Sequence, residues 1–349
     1  MKRPAIIIAC TAVVVIAAAG YFALHRKPAP GDSMPGVAPT MLSSLPPQAP
    51  YVIYADLASL RNSAFLNRLV ALAPTPSEDP EYAEFVRSTG FDYSRDLDRV
   101  AIAIFPGSSI PTVVTFAEGR FDQQKIIAYA LRTGKAEEQN GITKYVLPSS
   151  VSGGEITVQF MTVNRIKLIS RPRGNSEVKV LEPSTAAAEM TERINRVAGS
   201  PVFGVIRMDA VPKDAKIGTF GVDTITNSLQ GVSWLTVAAA PQGQSLRVVL
   251  EGECESSLAA TKLNLGIESL RILARAYLSA PSTRKQFTPQ GGDALIQLVK
   301  QADISAESNR VQLAVSLTPE ILDGLAAPPP STPQHSPAKA PAPPAKQAH

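Results

Sequence analysis

Apolar residues are distributed unevenly along the 349-residue chain, and the longest apolar run lies near its start. Ala5 to Leu24 (AIIIACTAVVVIAAAGYFAL) contains no charged residue. At 1.5 Å per residue, a helix of this length spans roughly 30 Å, the hydrocarbon thickness of a bilayer. The pattern therefore predicts a transmembrane helix over residues 5–24, within an N-terminal anchor over residues 1–27.

Two alternatives for this run stay open. A cleaved signal peptide would use the three alanines at 17–19 as its cleavage site. The run continues past them to Leu24, which favours an uncleaved anchor. A lipoprotein would be modified at Cys10, but only five apolar residues precede this cysteine, which is short for a signal sequence.

Charged residues on both sides of the run bear on its orientation. Lys2 and Arg3 precede it, and His25, Arg26 and Lys27 follow, so the positive-inside comparison is nearly balanced. The simpler topology keeps the short N-terminus inside and exports the rest of the chain. We therefore expect a single-pass protein of the bacterial inner membrane, with the bulk of the chain on the periplasmic side.

From residue 50 onward the hydrophobic pattern alternates between strand and helix periods. Runs of β-branched and aromatic residues predict strands, and apolar positions at helical spacing predict helices. The predicted strands include 51–57, 100–105, 112–116, 156–163 and 166–170. The predicted helices are 60–72, 79–88, 121–133 and 258–278. This alternation predicts an α+β protein in which helices cover one face of each sheet.

The order of these elements recurs once along the chain. The segment beginning at Pro50 (PYVIYAD) is answered by the one beginning at Pro201 (PVFGVIRMD), and VVTFAEG at 113–119 is answered by VVLEG at 248–252. A single repeat with a period of about 135–150 residues is typical of a duplicated domain rather than a solenoid. We therefore expect a first α+β domain over residues 50–198 and a related second domain over residues 199–325.

Proline-rich segments flank the two predicted domains. Seven prolines lie between Pro28 and Pro50, which favours an extended spacer with few packed contacts over residues 28–49. Residues 326–349 hold eight prolines among Ala, Lys and Gln, which predicts a disordered tail. A proline-rich ligand for an SH3-type domain is the alternative interpretation of this tail.

Four stretches carry a resemblance to other proteins. They are PYVIYAD at 50–56, GFDYSRDLDRVA at 90–101, EGRFD at 118–122 and GITKY at 141–145. With them, the chain resembles exported, membrane-anchored bacterial proteins of unknown function that have a duplicated α+β domain. The resemblance covers about residues 50–320, although the second half lacks the Gly-Phe-Asp element. It implies a fold and a location, and it brings no activity, cofactor or site residue.

Composition narrows the classes of function. The net charge of +4 belongs to the two ends, because residues 51–325 carry 28 basic and 29 acidic residues. Such a region has no basic surplus for phosphates, so we expect no nucleic-acid partner. The three histidines are at positions 25, 335 and 349. Residues 26–334 therefore contain no imidazole for the usual nucleophile–base pairs or zinc sites. We expect no catalytic residue, no metal and no cofactor.

Two carboxylate clusters are the strongest candidates for chemistry. One comprises Asp92, Asp96 and Asp98, and the other comprises Glu251, Glu253 and Glu255. The aspartates lack the spacing of a calcium loop, so we interpret them as caps and turn residues before a strand. The glutamates precede a predicted helix, where negative charge weakly complements the helix dipole. Their replacement by Gln is therefore expected to cost little.

Two single residues and one helix complete the candidates. Trp234 and Cys254 are each expected to be buried core residues. The helix over 258–278 carries Lys262, Arg271 and Arg275 beside its apolar positions. Packing against a sheet is the favoured interpretation of this helix, and a helix lying on a membrane surface is the alternative.

Three functional hypotheses follow. The leading one is a membrane protein, held through residues 5–24, whose exported region is a non-catalytic binding or scaffold protein for an unknown envelope partner. The second is a carrier or sensor of a small apolar ligand held between sheet and helices. The third is an enzyme that uses no histidine chemistry.

Overall fold

The computed structural model describes residues 38–61, 63, 80–107, 110–149, 153–174, 185–211, 229, 231–284 and 288–326. The predicted anchor over 5–24 lies outside these residues, as do most of the predicted helix over 60–72 and the predicted tail after residue 326. Within the described ranges, no helix has both the length and the apolar character needed to cross a membrane.

The described chain is α+β, as predicted. Its strands are β1 Tyr51–Asp56, β2 Leu97–Phe105, β3 Thr112–Gly119, β4 Lys135–Gln139, β5 Ile142–Pro148, β6 Gly154–Thr162, β7 Arg165–Pro172, β8 Val202–Arg207, β9 Val232–Gln242, β10 Ser245–Cys254, β11 Asp303–Glu307 and β12 Arg310–Leu317. Its α-helices are α1 Ala38–Leu42, α2 Leu57–Arg61, α3 Pro80–Thr89, α4 Tyr93–Asp96, α5 Gln123–Thr133, α6 Thr185–Val197, α7 Ser257–Ser279, α8 Pro281–Arg284, α9 Pro289–Gln301 and α10 Pro319–Ala326.

The twelve strands form a single sheet in which every neighbouring pair is antiparallel. Their order is β11-β12-β10-β9-β8-β1-β2-β3-β7-β6-β5-β4. The central pair, β1 and β8, joins the first strand of each half, with Tyr51 opposite Ile206 and Tyr54 opposite Phe203. The two halves therefore share one sheet, because each covers an edge that the other would leave unpaired.

Helices lie on both faces of this sheet, so the expectation of helices on one face is wrong. Neighbouring residues of a strand point to opposite faces. On β9, Ala238 packs in the cluster that contains Met190 of α6, whereas Ala239 packs with Leu298 of α9 and Ile321 of α10. The α6 side is one face, and the α9 and α10 side is the other. A strand whose residues are apolar on both faces requires this arrangement.

Residues 38–49 differ from the unpacked spacer that their prolines predicted. Met41, Leu42, Leu45 and Ala49 are all buried, with Met41 only 1% exposed. They belong to the same core cluster as Tyr54 of β1. These four apolar residues are spaced so that a short helix and the turn after it cover the sheet. Their burial outweighs the preference of the neighbouring prolines for an extended conformation, and the number of prolines did not predict this.

The helices predicted over 79–88 and 121–133 are confirmed. The Asp122 side chain accepts a hydrogen bond from the Lys125 N–H at 3.1 Å and so caps α5, which ends at Gly134. The helix α3 covers most of the predicted 79–88 and ends before Gly90, whose φ of 74° suits glycine.

Candidate binding surface

The longest described helix, α7, begins at a clear cap. The Ser256 side chain accepts a hydrogen bond from the Ala259 N–H at 3.2 Å, and the helix then continues for 23 residues to Ser279. This confirms the helix predicted over 258–278.

The inner side of α7 packs on the sheet mainly through its first turns. Ala260 and Leu263 are buried in a cluster with Val232, Cys254 and Val311. Gly252 of β10 permits this close approach, because a Cβ atom added there would lie 3.1 Å from Leu263 Cδ2. Further along, the Arg271 guanidinium donates to the Ala302 carbonyl oxygen at 3.1 Å, which fixes α7 against the end of α9.

The outer side of α7 exposes large apolar side chains, and this set is named the α7 outer surface. It comprises Leu258 at 64% exposure, Leu265 at 60%, Ile272 at 64%, Leu273 at 63% and Tyr277 at 53%. The favoured interpretation, packing against a sheet, is confirmed for the inner side of α7 and does not account for these exposed side chains on its outer side. The sequence contains a signal for this, because Leu258, Leu265 and Ile272 recur every seven residues and form a row separate from that of Leu263.

Basic residues border the α7 outer surface. Lys262 and Arg275 are exposed. Arg271, by contrast, is partly covered and forms an ion pair with Glu268 at 2.8 Å. Lys262 and Arg275 consequently present positive charge next to the exposed leucines, whereas the charge of Arg271 is compensated within the helix.

Glu251 and Glu253 do not serve the dipole of α7, so that interpretation is wrong for these two residues. Glu251 and Glu253 lie on β10 and face α6. Arg196 of α6 donates to Glu253 Oε2 at 2.7 Å and to Glu251 Oε1 at 3.2 Å. Gln312 of β12 donates to Glu251 Oε2 at 2.7 Å. The two carboxylates therefore bind α6 to the sheet.

Sequence reasoning missed both arginines of this network, and Arg193 is the more buried of the two. Its side chain is 8% exposed, pairs with Glu253, and lies with its Cζ atom 4.3 Å from the centre of the Trp234 ring. The guanidinium thus lies between a carboxylate and an aromatic face, and within the described part of the chain its Nε atom is buried without a hydrogen-bond partner. Burial raises the pKa of Glu253, but the hydrogen bond from Arg196 and the charges of Arg193 and Arg196 outweigh this and lower that pKa overall.

Asp92 of the aspartate cluster is a helix cap, as predicted, whereas Asp96 and Asp98 are held in ion pairs. Asp92 accepts from the Ser94 N–H at 2.9 Å and begins α4. Asp98 pairs with Arg61 at 3.0 Å. Asp96 is 7% exposed and accepts from the Arg95 side chain at 2.6 Å and from the Asp92 N–H at 3.0 Å. The bonds from Arg95 are the main cause that lowers the pKa of Asp96 to about 2.

Trp234 and Cys254 are core residues, at 5% and 2% exposure respectively. Cys254 is a free cysteine. Burial raises the pKa of its thiol, and the neighbouring charges of Glu253 and Glu255 add to this rise. Such a thiol is a weak nucleophile at neutral pH.

The described residues contain no group of three or more His, Cys, Asp or Glu side chains placed to hold a metal ion. An open cavity of about 570 Å³ lies beside the end of α9. Its lining consists of Gln301, Ala302, Asp303, Ser316 and Thr318. Four of these five residues carry polar side chains, and the cavity lends no particular support to the hypothesis of an apolar ligand. That hypothesis stays a prediction.

No protein-family model matches the chain, and no curated protein matches it. Among solved structures, crystal form IV of TP0453 is 11% identical, covers 84% of this chain and 100% of that chain, and gives a TM-score of 0.42. Crystal form I of TP0453 is 13% identical, covers 80% of this chain and 93% of that chain, and gives a TM-score of 0.38. A likeness at this level carries no inference about the function of this chain.

Proposed function

We propose that the chain is a single-pass protein of the bacterial inner membrane. In this proposal residues 5–24 form the anchor, and the α+β region over 38–326 is a non-catalytic binding region on the periplasmic side. The observation that carries the binding role is the α7 outer surface. Five large apolar side chains gathered on one exposed side of a helix are typical of a contact surface.

The carboxylates that could do acid–base chemistry support the non-catalytic part of the proposal. Glu251 and Glu253 are held by Arg193, Arg196 and Gln312. The hydrogen bonds and charges around Glu253 keep its pKa low, which is unsuited to a general acid near neutral pH. A structural role explains both side chains.

We also propose that the two halves are copies of one unit. The order β1-β2-β3-β7-β6 in the first half is matched by β8-β9-β10-β12-β11 in the second. In each half a helix on the same face precedes the first strand, since Met41 of α1 and Met190 of α6 belong to one cluster. The first half adds β4 and β5 where the second half has α8 and α9.

Membrane fractionation tests the anchor. The full chain is expected to stay with bacterial membranes in high salt and in alkaline carbonate, because a spanning helix is held by burial rather than by charge. A chain that begins at residue 28 is the control and should be released by both washes. Release of the full chain, or a mature N-terminus directly after Ala19, would show that the run is a cleaved signal peptide.

Protease added to spheroplasts tests the location. The proposal expects the region over 38–326 to be cut from outside while a cytoplasmic marker stays intact. Protection of the region until the spheroplasts are lysed would place it on the cytoplasmic side and end the proposal of an exported binding region.

A further inference from the structure

We propose that the α7 outer surface lies on the surface of a bilayer that contains anionic lipid. This inference rests on the proposed function, and it names the partner of that surface. The first support comes from the spacing of the apolar side chains along α7. Leu258, Leu265 and Ile272 follow one another at seven-residue intervals, so they form a nearly straight row along the helix. A row of this kind can enter the headgroup region along its whole length.

The order of side chains around α7 fits an interfacial helix. Leu273 and Tyr277 widen the apolar row toward its C-terminal end and are 63% and 53% exposed. A tyrosine with an apolar ring and a polar hydroxyl is favoured at the boundary between lipid and water. Lys262 and Arg275 are exposed beside the row, where their charges can meet lipid phosphates.

The charge beside the α7 outer surface favours a bilayer over a second copy of the chain. Lys262 and Arg275 are exposed next to the apolar row. Two copies in contact would bring these like charges together, whereas anionic lipid would meet them with opposite charge.

The position of the predicted anchor supplies the other argument. Only the residues from 25 to 37 separate the apolar run from the first described residue, Ala38. Whatever their conformation, thirteen residues extend at most about 45 Å. The folded region is therefore kept close to the membrane, where a high effective concentration adds to the affinity that the surface has for the bilayer by itself.

The test places a fluorescent probe on the surface in the full chain. Leu273→Trp is reconstituted in vesicles of phosphatidylcholine with one third phosphatidylglycerol, made either with or without brominated acyl chains. Contact with the bilayer predicts that brominated lipid lowers the emission of the added tryptophan about twofold. Exchanging Lys262 and Arg275 for Glu in the same chain should weaken this quenching in anionic vesicles.

The matched control is Val163→Trp, at a 75% exposed position in the turn between β6 and β7. It has the same anchor and the same buried Trp234, and its emission should not fall beyond that shared background. Equal quenching of the two variants would overturn the inference. So would shielding of the tryptophan at 273 that grows with protein concentration without lipid, because a second copy would then cover the surface.

The same experiment distinguishes failure of the proposed anchor from failure of the proposed α7 contact. Quenching is measured before any wash, and the vesicles are then treated with alkaline carbonate. A chain that is quenched and then released keeps the α7 contact and loses the anchor. A chain that stays in the vesicles without quenching keeps the anchor and loses the α7 contact.

Discussion

Pro50 and Pro201 hold equivalent positions on the two sides of the central strand pair. The Arg207 N–H donates to the Pro50 carbonyl oxygen at 2.8 Å, and the Asp56 N–H donates to the Pro201 carbonyl oxygen at 2.6 Å. Pro50 and Pro201 are 151 positions apart in the sequence, and so are Asp56 and Arg207. The two hydrogen bonds therefore join equivalent positions of the two halves. The relationship is that of a local twofold axis normal to the sheet, as expected if two copies of one unit are joined edge to edge.

Met41 is predicted to be essential for the central core. Met41→Ala should lower the free energy of unfolding by about 2–4 kcal/mol, because a side chain 1% exposed leaves a cavity when it is truncated. Thr40→Ala, at an exposed neighbouring position, is the control and should change it little. Denaturant unfolding of chains that begin at residue 28 measures both. Equal stability of the two variants would restore the prediction of an unpacked spacer.

Glu253 is predicted to contribute more than a helix-dipole effect. Glu253→Gln should destabilise the fold by about 1–3 kcal/mol, because it leaves the guanidinium of Arg193 buried with a weaker partner. Glu255→Gln is the matched control, since Glu255 is exposed and two residues away. Thermal unfolding of the two variants measures the difference. If both behave alike, α6 is not held to the sheet by this pair.

Asp96 predicts a loss of stability in acid. Its pKa is lowered from 3.8 to about 2 in the folded state, so the folded state binds the proton more weakly than the unfolded state does. The resulting stability, on the order of 2 kcal/mol, is fully present above about pH 4 and is lost as the pH falls toward 2. Asp96→Asn should therefore be less stable than the natural chain at neutral pH, and the difference should shrink across this range. A difference that does not change with pH would contradict the assignment.

The elements that the sequence predicted correctly are those determined by residues that are neighbours in the chain. Asp122 and Gly134 bound α5 through local hydrogen bonds, and the pattern of apolar positions over 121–133 placed that helix to within two residues. Arg193 and Glu253 are 60 positions apart, and the residues next to either one in the sequence do not indicate that the two are in contact. The burial of Met41 was not predicted for a related reason. Its burial depends on a sheet formed by later strands, whereas the prolines around it are visible at once.

The outer side of α7 shows the same limit. Packing was the favoured interpretation for the apolar residues of this helix as a whole, and Leu263 and Leu265 are both apolar. Only the position of the sheet decides that Leu263 is 5% exposed and Leu265 60%. A helix with two apolar rows can bury one and present the other, and periodicity alone does not tell which.

Vesicle flotation of a chain that begins at residue 28, and so lacks the run over 5–24, tests the central claim most directly. With anionic vesicles the chain should float, and replacing Leu265, Ile272 and Leu273 by Ser should weaken its binding at least about tenfold. Replacing the exposed Ile142, Met161 and Val163 by Ser removes similar apolar surface elsewhere and should leave binding unchanged. Equal flotation of the two triple variants, or no flotation of the chain itself, would contradict the account.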